Sequence, residues 1–146
     1  MTISTQRQTA EALVKAFNEM DVDAIVSFRD PKALRHLIPE SMGNKPQDND
    51  TYARSLKQIR TVFTDFSLTV NDILEDRDGR RICLWATARG NSAAGHYVNE
   101  YVWLLDFDET GTKILGSKEY SDTIMARDFF PKLQAAMTAH QAQVKA

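Results

Sequence analysis

Few side chains in this sequence can move a proton at neutral pH. The histidines are His36, His96 and His140, and the single cysteine is Cys83. With an ordinary pKa of ~6.5, a histidine gives or takes a proton readily. His36 lies in "RDPKALRHLIPE", between two prolines. It reads either as a proton-transfer group or as a hydrogen-bonded packing residue beside Leu34, Leu37 and Ile38. Glu100 and Glu119 fall inside strand-like segments, where a buried carboxylate must be paired or protonated. Arg81 or Arg89 can supply a partner, which makes a salt-bridge network. Without one, such a carboxyl becomes an acid of raised pKa able to protonate a substrate. Asp122 follows the last strand-like segment, either as a helix N-cap or as a general base. Asn99 and Tyr101 can hydrogen-bond a carbonyl or enol oxygen, or simply pack in the core.

What the sequence lacks narrows the chemistry. It has no glycine-rich phosphate loop, no H-E-x-x-H and no cysteine pair, and its histidines are too scattered to argue for a metal site. Cys83 reads as a small apolar residue. The expectation is acid–base work without a cofactor: isomerisation, cyclisation, dehydration or a pericyclic step helped by shape. Trp85, Trp103, Tyr97, Tyr101 and Phe107 form a broad aromatic set. In a concave pocket it suits a flat or polycyclic lipophilic ligand.

The elements that position these residues can be read from periodicity. "HYVNEYVWLLDFDETG", residues 96–111, is apolar on both faces of a would-be strand. One face carries Tyr97, Asn99, Tyr101, Trp103, Leu105 and Phe107. The other carries Val98, Glu100, Val102 and Leu104. One face must meet helices, and the other would be an apolar patch unless a second copy of the chain covers it. A homodimer through the sheet is expected. Upstream, Ala10, Leu13, Phe17 and Met20 mark a helix. Val22–Phe28 is a short helix capped by Asp21, and residues 29–50 read mostly as loop, with an extended piece at Leu34–Ile38. Thr51–Phe63 forms a third helix with Asp50 as its cap. Strands follow around Phe66–Val70, "ICLWATAR", residues 96–107 and "KILGSKEY". They make a four-stranded antiparallel meander with a turn at Asp78–Gly79. A last helix starts near residues 122–128, with Pro131 in its first turn. Helices on one face of an antiparallel sheet define an α+β fold.

Length and charge set the outer limits. A chain of 146 residues fits one domain, 1–146, and buries about 68–70% of its unfolded surface. A net charge of −2 gives no nucleic-acid footprint. No apolar run reaches the ~18 residues of a membrane span, and the N-terminus lacks a signal-peptide core, so a cytoplasmic location is expected.

The element order resembles the nuclear transport factor 2-like fold, the cone shared by ketosteroid isomerase, scytalone dehydratase and SnoaL-like cyclases. "SFRDPKALRHLIPESMG", "NDTYARSLKQIR", "GHYVNEYVWLLDFDETGTKILGSKEYSD" and "RDFFPKL" resemble small fungal SnoaL-like isomerases and cyclases of polyketide and meroterpenoid pathways. The resemblance implies a pocket between the concave sheet face and the helices, with Asn99, Tyr101, Trp103 and Leu105 facing it. On the neighbouring strand it implies Gly116, Lys118 and Tyr120, leaving Glu100 and Glu119 together on the opposite side. Trp103 occupies the place of the acidic oxyanion-hole residue of ketosteroid isomerase, so that mechanism is not expected. The implied proton-transfer pair is His36 and Asp122. Asn99 and Tyr101 orient oxygen atoms, and Trp85, Trp103, Leu105, Lys118 and Tyr120 bind a lipophilic substrate. The alternatives are a small-molecule carrier without turnover, or a dimeric protein–protein adaptor.

Overall fold

The computed structural model describes residues 2–146. Its elements are α1 (Thr5–Asn18), α2 (Val22–Ser27), β1 (Arg29–Ile38), a 3-10 turn (Glu40–Met42), α3 (Asn49–Arg60), β2 (Phe63–Asp76), β3 (Arg81–Ser92), β4 (Gly95–Phe107), β5 (Ile114–Ser121) and α4 (Thr123–Lys145). The strands form one sheet in the order β1-β5-β4-β3-β2. Strands β2 to β5 are the expected antiparallel meander. The fifth strand corrects the sequence reading: residues 29–38, expected to be mostly loop, pair with β5 in parallel. Prolines and charges hid it. Pro31 lies near its start, where β1 runs along the sheet edge and a missing N–H costs no ladder bond.

Each helix starts on a side-chain cap. Ser4 accepts from the Arg7 N–H, Asp21 from Ala24 and Asp48 from Thr51. The third helix thus begins at Asn49 on Asp48, two residues before the expected start and on a different aspartate. Pro131 lies well inside α4 rather than in its first turn. Asn18 ties α1 to the sheet by bonding both backbone groups of Leu68, at 3.1 Å and 2.7 Å. Ile82, Leu84, Ala86 and Ala88 of β3 face the helices and are essentially inaccessible. Ala10, Leu13, Phe17, Val22 and Ile25 pack over that side of the sheet. At about 1.5–3 kcal/mol for each fully buried large side chain, this layer is the main source of stability.

One irregularity decides what the site contains. Phe107 pairs with Ile114, but Asp106 pairs with Gly116, so Leu115 is an extra residue in β5. Such a bulge reverses the facing of every residue beyond it. Ile114 points into the core, and after the bulge so do Ser117 and Glu119, opposite Leu105 and Trp103. Lys118 and Tyr120 turn outward, with Tyr120 48% exposed.

Candidate functional site

A cavity of about 390 Å³ lies between the inner sheet face and the helices. Its walls are mostly apolar. Leu56 and Ile59 come from α3, Phe63, Phe66 and Leu68 from β2, and Leu133 and Met137 from α4. Three neighbouring strands supply Arg35 of β1, Glu119 and Ser121 of β5, and Tyr97 and Tyr101 of β4, and further polar groups such as Gln47 and Tyr52 come from outside these strands. Volume and lining are those of a small-molecule site.

Two hydrogen-bonded clusters stand there. In the first, Arg35 donates from Nη2 to Glu119 Oε2 at 2.6 Å and from Nη1 to Gln47 Oε1 at 2.7 Å. Trp103 donates its indole N–H to Glu119 Oε1 at 2.9 Å. The Arg35 guanidinium also lies over the Tyr52 ring, 4.5 Å from its centroid, a cation–π contact. Burial works against the Arg35 charge, but the Glu119 carboxylate more than offsets it, and the net effect raises its pKa. Each Glu119 oxygen keeps a lone pair free for another donor. Behind this pair lies Arg29, buried and bonded to Asn49 and Ser117; burial lowers its pKa.

In the second cluster, Tyr97 and Tyr101 share a hydroxyl–hydroxyl hydrogen bond. Asn99, 2% exposed, donates to the Tyr97 hydroxyl at 3.0 Å. Rings hold these phenols in place: Phe63 stacks edge-on against Tyr97 at 5.2 Å, and Trp103 lies 6.0 Å from Tyr101. Burial pushes Tyr97 above an ordinary phenol, and pushes Tyr101 well above it with the added effect of Tyr97 and Glu119. Both are therefore neutral hydroxyls at pH 7, suited to donate to an oxygen that gains charge.

Some expected site residues meet here and some do not. Tyr101 and Trp103 line the cavity. Asn99 shares their face but lies behind Tyr97, and Leu105 lies deeper, against a void of about 20 Å³ beside Arg29. Glu119 faces inward and Glu100 outward, so the two are not neighbours on one face. The Leu115 bulge separates them, and it also takes Lys118 and Tyr120 out of the cavity. Trp85 is on the outer face, 47% exposed, donating to Glu100 at 3.1 Å. His36 alternates with Arg35 and Leu37, which line the cavity, and does not line it itself. The Asp122 carboxylate caps α4, accepting from the N–H groups of Ile124 and Met125. We expect His36→Ala to leave turnover unchanged and Asp122→Ala to cost about 1 kcal/mol of stability, read from thermal unfolding. A large loss of turnover in either would return them to the site. Arg35 and Tyr52 escaped the sequence reading. Arg35 is one residue from His36, and strand alternation alone puts the two on opposite faces.

Among the described residues, no group of three or more His, Cys, Asp or Glu could hold a metal ion, and no helix is long and apolar enough to cross a membrane. No protein-family model matches the chain. Core atranone cluster (CAC) protein 11 of Stachybotrys chlorohalonatus is 26% identical over 132 residues, spanning 90% of this chain and 98% of that protein. Austinoid biosynthesis cluster protein H of Aspergillus calidoustus is 28% identical over 136 residues, spanning 90% and 92%. Among solved structures, BvnE pinacolase from Penicillium brevicompactum superposes with a TM-score of 0.83 at 24% identity, covering 90% of this chain and 96% of that one. An NTF2-like protein from Burkholderia pseudomallei superposes at 0.73 and 19% identity, covering 87% and 98%. A SnoaL-like protein from Shewanella denitrificans superposes at 0.71 and 11%, covering 86% and 96%. Fold and relatives agree: the chain has the nuclear transport factor 2-like fold and is similar in sequence to proteins of fungal biosynthetic clusters.

Proposed function

We propose that the protein is an isomerase or cyclase acting on a lipophilic polyketide- or terpenoid-derived intermediate. The observation that carries this reading is the contrast within the cavity: apolar walls around the paired phenols of Tyr97 and Tyr101 and the Arg35–Glu119 pair. Tyr101 donates its hydroxyl hydrogen to a substrate carbonyl or departing oxygen and stabilises the charge that develops there. The Glu119 carboxylate, held by Arg35 and Trp103, accepts a proton or hydroxyl hydrogen bond from the substrate. Apolar walls hold the reacting atoms together and keep water out. The relatives' cluster names and the pinacolase neighbour support a rearrangement or ring-forming step. The test is to delete the gene in its host, isolate the intermediate that accumulates, and incubate it with the purified protein. Conversion to a product of equal mass, or of one water less, supports the reading. Tight binding without conversion would make the protein a carrier instead.

The outer face of the sheet exposes Leu34, Trp85, Val98, Val102 and Tyr120, each between 37% and 48%. We propose that a second copy covers this face. Light scattering at micromolar concentration is expected to give twice the 16.5 kDa chain mass; a monomer there rejects the pairing.

A further inference from the structure

The Asn99 amide carries information about what Tyr101 does. Its carbonyl oxygen faces the backbone N–H of Asp122 at 3.3 Å. A backbone N–H only donates, so the side-chain amide cannot sit the other way round. Its NH₂ group therefore points to Tyr97 and donates to that hydroxyl oxygen. Rings of Phe63 and Phe129 pack against Tyr97, and among the described residues Tyr101 is the one acceptor in reach of its proton. Tyr101 in turn accepts from Tyr97, and its own hydroxyl hydrogen has no partner among the described residues. Tyr101 lines the cavity, so that hydrogen serves the ligand.

We infer that Asn99 is a positioning residue: acting through Tyr97, it sets the direction of the hydrogen-bond chain so that Tyr101 presents a donor, and the cavity selects ligands with an acceptor oxygen at that point over ligands with a hydroxyl there. This rests on the reading of the cavity as a ligand site, but not on any particular reaction. It also links two parts of the fold. The Asp122 N–H lies at the start of α4, whose Leu133 and Met137 wall the cavity, so seating of that helix and orientation of the floor phenol depend on one amide.

Asn99→Asp reverses the chain at nearly constant shape. With the calorimetry run at a pH where the introduced carboxyl is ionised, it only accepts, so it takes hydrogen bonds from both the Asp122 N–H and Tyr97. Tyr97 then accepts from Tyr101, and the cavity sees a lone pair instead of a proton. Two probes of one skeleton read this: 9-fluorenone, an acceptor only, and 9-fluorenol, which also donates. Calorimetry is expected to show that wild type prefers the ketone and that the ketone-to-alcohol affinity ratio falls about tenfold in Asn99→Asp. The infrared C=O stretch of bound fluorenone is expected to lie lower in wild type than in Asn99→Asp or Tyr101→Phe. A loss of packing alone would weaken both probes together and leave the ratio unmoved, and an unmoved ratio overturns the inference. If Asn99→Asp does not fold, the ketone stretch in wild type against Tyr101→Phe decides, and identical frequencies overturn it. Failure of wild type to bind either probe removes the ligand site itself, and the inference with it.

Discussion

Tyr101→Phe is expected to lower turnover of the accumulated intermediate by about 10²–10³-fold while the thermal unfolding midpoint stays close to that of wild type. The phenol is half-buried and, among the described residues, shares its hydroxyl only with Tyr97, so removing one oxygen leaves the ring packed against Trp103. The effect should fall on kcat more than on KM, because the bond strengthens as charge develops on the substrate oxygen. Tyr97→Phe is expected to fall between wild type and Tyr101→Phe, since it leaves the donor in place but ends the chain from Asn99. An unchanged kcat in Tyr101→Phe would refute its role as donor. The same residue gives a pH signature. Burial raises its native pKa well above the ordinary phenol value, so the native state holds the proton more tightly than the unfolded state does. That contribution to stability is complete below pH ~10 and is lost as pH rises from there through the native value. Tyr101→Phe should therefore flatten the alkaline loss of stability, as measured by denaturant unfolding at pH 8 and above.

The Arg35–Glu119 pair predicts a split between stability and activity. Their side chains are only 15% and 11% exposed. Glu119→Gln leaves the guanidinium in the interior without its counter-charge, and a cost of about 3–5 kcal/mol is expected. Arg35→Leu leaves the carboxylate alone and costs a similar amount. Joining Arg35→Leu with Glu119→Leu removes both charges, and the double variant should recover most of the stability. It should not recover turnover, because the acceptor in the cavity is gone. Urea unfolding and the conversion assay on all three variants test this. Recovery of activity in the double variant would make the pair structural only.

How far the sequence alone reaches depends on which interactions are local. The alternation of residues 97–107 grouped Tyr101, Trp103 and Leu105 on one face, the resemblance made that face the inner one, and β4 is regular enough for the parity to hold over most of its length. Asp21 could be read as a cap because capping involves neighbours three residues apart. Of β1 only the extended piece Leu34–Ile38 could be read, without its partner, since the pairing with β5 joins residues about eighty positions apart and the stretch before it carries charge and proline. The Arg35–Glu119 pair was missed for the same reason. Arg35 needed a partner, and that partner's facing depended on an irregularity that periodicity does not register. Ile114, Gly116, Lys118 and Tyr120 share one parity in the sequence, and nothing in that pattern marks Leu115 as supernumerary.

Leu115 also shows how such a scaffold can exchange one chemistry for another. Taking Leu115 into the ladder opposite Asp106, where Gly116 now pairs, would shift the rest of β5 by one residue without touching the helices or the other strands. Serine and the acid at 117 and 119 would leave the interior, and an amine and a fourth phenol would enter it. Reactive repertoire in this architecture is thus set partly by strand phase, which a single bulge decides, and not solely by which amino acids the strand contains.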